Sequence, residues 1–244
     1  MFHKIKLLIS PTTIEEAKIV IANQIDFIDC KNPKEGSLGA NFPWIIKKMK
    51  SLIPSDSDQL LSATIGDFPN LPGSASLAAL GAAISGADII KVGLKGPSNE
   101  KSGIKLMKNV VKSVKDYNKK ILVVAAGYAD RKRMNSSPEF MSIPKIASES
   151  GADIAMIDTY IKDNLGLLDF LTKDQLIQFK NEAKSLDLKV ALAGNLRIKD
   201  LPTITNISPD IIGVRSVVCK GYDRNNGTIK SKLIQNLKEE LYKN

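Results

Sequence analysis

Histidine is almost missing from this 244-residue chain: His3 is the only one, and it precedes the first strand-like run. That removes histidine general-base catalysis and histidine-ligated zinc from consideration, and His3 itself reads as a frayed terminal residue. Cysteine is nearly as scarce. Cys30 and Cys219 are the only two, too few for a disulfide framework, and they predict a reduced, cytoplasmic protein in which both thiols are bystanders. Aromatic residues make up 5% of the chain, so the basic runs Lys47-Lys48-Met49-Lys50 and Arg131-Lys132-Arg133 lack the interleaved rings on which single-stranded nucleic acid stacks. Both runs are expected to be solvated faces. No stretch approaches the ~20 apolar residues of a membrane helix. The short run Ile5 and Leu7 to Ile9 reads as a first strand rather than a targeting segment. No glycine-rich dinucleotide fingerprint follows that strand, where Ser10-Pro11-Thr12-Thr13 stands instead, which counts against a doubly wound open sheet.

What is present is a chain that is 43% hydrophobic and 25% charged, the balance of a soluble globular protein with a large core. Its net charge of +9 predicts anionic partners, with phosphorylated metabolites favoured over nucleic acid. Four segments share an aspartate followed by a short apolar run: Asp26 to Lys31, Asp88 to Gly93, Asp153 to Asp158 and Asp210 to Arg215. Between them lie further strand candidates, Leu60 to Thr64, Ile121 to Ala126 and Lys189 to Ala193, with Lys6 to Ile9 ahead of the first. Segments of helical period follow, such as Ile104, Met107, Val111 and Val114, or Leu176, Phe179, Ala183 and Leu186. Strand and helix alternate about eight times, the rhythm of a (β/α)8 TIM barrel, and a single such domain is predicted over residues 1–244.

Strand side chains alternate faces, so each repeated segment can be split in two. Even offsets from the leading aspartate are apolar throughout: Ile28, Cys30, Ile90, Val92, Ala155, Ile157, Ile212 and Val214. Odd offsets begin apolar (Phe27, Ile89, Ile154, Ile211) and end in Asp29 and Lys31, Lys91 and Gly93, Met156 and Asp158, Gly213 and Arg215. In a barrel the odd face points inward, and its carboxyl ends open at the mouth where such folds carry active sites. An internal ion-pair network would account for one such strand; four strands in agreement favour a site. Lysines and carboxylates are then the available catalysts. A lysine desolvated beside a second cation loses its proton and attacks carbonyls to form a Schiff base, and Lys31 with Lys91 supplies that pairing. Asp29 or Asp158 could shuttle protons, and Asp29, one residue inward from Lys31, is a candidate to orient it. Oxygen-ligated metal at Asp29, Asp67 or Asp158 is disfavoured by the nearby lysines, and no metal or cofactor is expected. The turns Ala193-Gly194-Asn195 and Gly213-Val-Arg215-Ser216 fall where barrels bind phosphate through backbone N–H groups, with Arg215 adding a bidentate contact. The loop Asn32 to Phe42, with Gly36 and Gly39, would cover the site, and Trp44 just beyond it is expected to pack rather than touch substrate.

The runs CKNPKEGSLGANFPW, SLAALGAAISGADIIKVGL, VVAAGYAD, AMIDTYIKD, ALAGN and CKGYDRNNG together resemble the (5-formylfuran-3-yl)methyl phosphate synthase family along nearly the whole chain. The resemblance implies a carbon–oxygen lyase of methanofuran biosynthesis. Such enzymes join two molecules of glyceraldehyde 3-phosphate, with loss of one phosphate and two waters, to give 4-(hydroxymethyl)-2-furancarboxaldehyde phosphate. The family's Schiff-base lysine falls on Lys31 and its proton-donor lysine on Lys91, while Asp158 and Lys162 match further active-site positions. Ser216 departs from the family pattern, in which a glycine follows the arginine, and the stretch Ser51 to Gln59 is insertion-like. Two rival functions are a different lysine-dependent aldolase or lyase on another phosphorylated aldehyde, and a non-catalytic barrel binding a phosphorylated ligand or nucleic acid. The partner expected is a small phosphorylated molecule, with neither nucleic acid nor membrane, and a homo-oligomer is compatible with the sequence.

Overall fold

The repeated segments become the even-numbered strands of a closed barrel in the computed structural model, which describes residues 4–243; the expectation for His3 lies outside the described residues. The strands are β1 (Lys6–Ile9), β2 (Phe27–Cys30), β3 (Leu60–Asp67), β4 (Ile89–Gly93), β5 (Leu122–Tyr128), β6 (Ile154–Asp158), β7 (Lys189–Ala193) and β8 (Ile211–Val214). Each pairs in parallel with the next, and β8 returns to β1 through register partners such as Leu8 and Gly213. Helices cover the outside: α1 (Ile14–Ala22), α2 (Pro43–Lys50), α3 (Pro72–Ile84), α4 (Glu100–Tyr117), α5 (Ile143–Ser150), α6 (Leu167–Phe170), α7 (Lys173–Ser185), α8 (Leu201–Ile207) and α9 (Ser231–Leu241). The single-domain (β/α)8 expectation holds. No helix among the described residues is long and apolar enough to cross a membrane.

The two strand faces sort into two apolar layers. Ile28, Cys30, Ile90, Val92, Ala155, Ile157, Ile212 and Val214 pack under the helices, against residues such as Met107, Val111 and Val114 of α4 and Leu176, Phe179 and Ala183 of α7. Phe27, Ile89, Ile154 and Ile211 fill the barrel interior with Leu8, Val124 and Met156. Each large aliphatic side chain buried in these layers contributes about 2 kcal/mol of transfer free energy. Cys30 lies in the outer layer, where burial pushes its thiol up to about 12, so at neutral pH it is a small hydrophobe rather than a nucleophile.

The leading aspartates explain why the segments repeat. Asp26 accepts a hydrogen bond from the Leu7 N–H of β1, Asp88 from Leu61 of β3, Asp153 from Val123 of β5 and Asp210 from Val190 of β7. Each therefore ties the start of an odd strand to the even strand that follows it. A helical lysine neutralises three of them: Lys50 on Asp88, Lys115 on Asp153 and Lys184 on Asp210. Lys50 is thus an ion-pair partner, and Met49 beside it is buried; only Lys47 and Lys48 of that basic run are solvated. In the second run, Arg131 pairs with Glu139 and Arg133 with Asp163.

Three local expectations need correction. β3 and β5 run past Thr64 and Ala126 to Asp67 and Tyr128, with a register shift in β3 between Thr64 and Asp67 that re-aims its end. Trp44 does not pack into the core. It is 65% exposed and stacks on Phe42 at 4.7 Å between ring centroids.

Candidate active site

Position along the inward face sets depth. Asp29 and Lys91 both stand three residues after a leading aspartate, and they meet in one layer as an ion pair of 2.7 Å. Lys31, Asp158 and Arg215 stand five residues after theirs, one layer nearer the mouth. Lys31 lies 3.9 Å from the other oxygen of Asp29, which also accepts from the Ser10 hydroxyl at 2.7 Å. Asp29 is therefore closer to Lys91 than to the Lys31 it was expected to orient. Lys162, on the loop after β6, reaches back to Asp158 at 2.6 Å. Asp29, Lys31, Lys91, Asp158, Lys162, Gly194, Asn195, Arg215 and Ser216 all line one cavity at the barrel mouth.

The charges there are nearly enclosed: Asp29 is 0% exposed, Lys91 2%, Asp158 3% and Lys31 6%. Burial pushes the Lys31 ammonium down, Lys162 and Lys91 push it further, and the opposing pull of Asp29 and Asp158 leaves it at about 7. Lys31 can therefore give up its proton near neutral pH. Burial alone would raise the carboxylates, but the cations outweigh it: Lys162 and Lys31 hold Asp158 at about 2, and Lys91 and Lys31 keep Asp29 below its usual range. The Lys162 ammonium is lowered by burial, with Arg224 adding to the effect against Asp158.

A pinned loop closes one side. Residues 32–42 follow Lys31, and they are held by Ser37 donating to the Thr159 carbonyl at 2.9 Å, by Thr64 donating to the Gly39 carbonyl at 2.6 Å, and by the Leu38 N–H donating to Asp67 at 3.3 Å. Tyr128 donates its hydroxyl to the other oxygen of Asp67. Gly36 has φ of +133° and lies against Asp67, so a side chain there would be strained and obstructed. Gly39 has no such φ; it is needed because a β-carbon would run into the Asn32 carbonyl. Asp67 and Tyr128 were missed as loop anchors in the sequence, because the register shift that aims Asp67 leaves no local pattern.

At the opposite side Gly194, Asn195 and Ser216 present their turns to the cavity, Gly194 with φ of +113° and Asn195 with φ of +46°. Arg215 does not offer the bidentate phosphate contact expected of it. Its Nε donates to the Arg224 carbonyl at 2.9 Å, one terminal nitrogen to the Ser10 carbonyl and Glu16 at 2.8 Å each, and the other to Thr12 at 3.1 Å and Glu16 at 3.4 Å. Those contacts use all five N–H groups of a guanidinium. Burial opposes ionisation of Glu16, but Arg215 outweighs it and keeps that carboxylate low. Arg215 thus fastens β8 to β1 and α1. Among the described residues no group of three or more His, Cys, Asp or Glu stands where it could hold a metal ion.

The profile of the 4-HFC-P synthase family matches residues 7–238. This chain belongs to that family. Among relatives, the (5-formylfuran-3-yl)methyl phosphate synthase of Methanocaldococcus jannaschii is 54% identical over 233 residues, covering 96% of this chain and 98% of that one. The synthase of the same name from Methanothermobacter thermautotrophicus is 48% identical, over 96% and 98% of the two chains. Solved structures share the fold of this 4-HFC-P synthase family member at much lower identity. KGPDC from Streptococcus mutans superposes with a TM-score of 0.64 at 13% identity, over 98% of this chain and 100% of its own. The 3-hexulose-6-phosphate synthase of Salmonella typhimurium gives 0.64 at 14%, over 98% and 100%.

Proposed function

We propose that this protein is a (5-formylfuran-3-yl)methyl phosphate synthase that condenses two molecules of glyceraldehyde 3-phosphate to 4-(hydroxymethyl)-2-furancarboxaldehyde phosphate, phosphate and two waters, through an imine on Lys31. The observation that carries the reading is a buried lysine poised at about 7 above the Asp29–Lys91 pair, in a chain of this family. The free amine of Lys31 attacks the carbonyl carbon of one triose phosphate, and loss of water from the carbinolamine leaves an iminium. That cation draws electrons from the adjacent carbon. A proton there passes to Asp158, which lies in the same layer and is ionised at any working pH, and the phosphate on the next carbon leaves with the C–O electron pair. Lys91, and Lys162 against Asp158, supply protons to departing oxygen during condensation, ring closure and dehydration. Backbone N–H groups at Gly194, Asn195 and Ser216 hold substrate phosphate. The unpaired, buried Cys30 and Cys219 accord with a cytoplasmic protein. Exposed Leu77 and Ile84 of α3 and the Phe42–Trp44 stack favour a homo-oligomer, which light scattering tests.

The deciding experiment is incubation with glyceraldehyde 3-phosphate, followed by mass analysis of the product and peptide mapping after borohydride reduction. A six-carbon furan aldehyde phosphate and a reduced adduct on Lys31 are expected. An adduct without furan would point to another lysine-dependent aldolase or lyase, and no adduct would remove the imine.

A further inference from the structure

Every cation facing the cavity but one is already answered by protein. Lys91 pairs with Asp29 at 2.7 Å, Lys162 with Asp158 at 2.6 Å, and Arg215 with Glu16 at 2.8 Å, while Lys31 lies 3.9 Å from Asp29. Arg224, on the loop after β8, lines the same cavity. Among the described residues its guanidinium has no hydrogen-bond acceptor and no carboxylate within ion-pair distance. Its placement is nevertheless fixed. The Arg224 carbonyl accepts from Arg215, and Asp223 beside it accepts from the N–H groups of Asn225 and Asn226, at 2.8 and 3.0 Å. Arg224 also borders a second groove, shared with Lys31, Asn32, Asn41 and Thr12, which runs from the cavity along the loop after β2. It therefore stands where the two meet.

We propose that Arg224 is the side-chain receptor of a second phosphate subsite, binding a phosphate monoester at the junction of the cavity and this groove. With Lys31 as the free amine, the three carboxylates Asp29, Asp158 and Glu16 balance Lys91, Lys162 and Arg215, and the charge of Arg224 is left over. Arg224 is half-buried and its unpartnered guanidinium is open to an incoming anion, whose two phosphate oxygens its planar fork matches. The assignment rests on the proposed condensation, in which two phosphorylated trioses meet in one cavity and need two anion receptors. The turns at Gly194 and Ser216 serve one, and Arg224 the other.

The test compares the unmodified protein with Arg224→Gln and Arg224→Lys, each checked for native circular dichroism and melting temperature. Calorimetric titration with glyceraldehyde 3-phosphate should show affinity falling roughly 10- to 100-fold in Arg224→Gln, with part regained in Arg224→Lys. Turnover should show the same rise in KM with a smaller change in kcat. Borohydride trapping of unphosphorylated glyceraldehyde on Lys31 should be unchanged, since that aldehyde brings no phosphate to hold. Unaltered affinity in Arg224→Gln would overturn the proposal, as would an equal loss of glyceraldehyde trapping, which would mark a purely structural role. Failure of the unmodified protein to form a furan would sink the proposed function instead, and the titration would still decide for or against Arg224 as a phosphate receptor.

Discussion

Replacing Lys91 by Gln should shift the proton equilibrium of Lys31, a residue on a different strand. The carboxylate of Asp29 separates the two amines, with Lys91 2.7 Å from one oxygen and Lys31 3.9 Å from the other. Allowing about 2.2 Å between carboxylate oxygens, the two nitrogens are at most about 9 Å apart. At an effective dielectric constant of ~20, like charges at that separation repel by about 1.8 kcal/mol, or about 1.3 pH units, and closer approach gives more. Lys91→Gln removes this repulsion and frees the Asp29 carboxylate to favour the Lys31 ammonium. Both changes raise Lys31 from about 7 toward the ordinary lysine range. The assay is the pH dependence of borohydride-trapped adduct on Lys31, followed by peptide mapping, which reads imine formation even where turnover is lost. In the unmodified protein, trapping should fall tenfold per pH unit well below 7 and level off above it. In Lys91→Gln the same curve should move at least one unit to the alkaline side, whereas Lys91→Arg, which keeps the charge, should leave it nearly in place. An unmoved midpoint in Lys91→Gln would refute the claim that the Asp29–Lys91 pair tunes Lys31.

Arg215→Met should cost about 3–5 kcal/mol of folding stability, read from the denaturant midpoint, because it strands the buried Glu16 carboxylate. Since Glu16 is held below its usual 4.5, that stabilisation is complete above about pH 4.5 and fades as pH falls, so the two proteins should converge in acid. Tyr128→Phe removes the hydroxyl that braces Asp67, and should cost about 1–3 kcal/mol while speeding limited proteolysis within residues 32–42. Activity should survive exhaustive EDTA treatment, since the iminium replaces Lewis-acid polarisation of the carbonyl; loss with restoration by a divalent ion would contradict the lysine mechanism.

The barrel was readable because its strands are short and two-faced, so that Phe27, Asp29 and Lys31 announce one side and Ile28 and Cys30 the other. The joint placement of Asp29, Lys31, Lys91 and Asp158 at one mouth followed from that alternation alone. Pairing distances did not. That Asp29 prefers Lys91 over its near neighbour Lys31 depends on which residues share a layer, and Lys91 is 62 positions away in the chain. Arg215 was misjudged for a similar reason: its acceptor Glu16 sits on α1, 199 residues earlier, and nothing local to the β8 turn signals that the guanidinium is occupied. The reach of β3 to Asp67 was hidden by the register shift, and Trp44 is exposed because Ile46 and Met49 take the core side of α2.

The staples at the amino end of the barrel have a consequence for how such a protein can change. Asp26, Asp88, Asp153 and Asp210 divide eight strands into four pairs, each stapled by the same aspartate-to-backbone bond. The same two addresses at the far end then hold Asp29 and Lys31, Lys91 and Gly93, Met156 and Asp158, Gly213 and Arg215. One end of the molecule repeats itself while the other varies at fixed coordinates. Arg215 apart, since it also clamps β8 to β1 and α1, a residue exchanged at one of these addresses alters what the mouth can react with while the aspartate staples lie a strand's length away, so new chemistry can be tried on this frame without first renegotiating its folding.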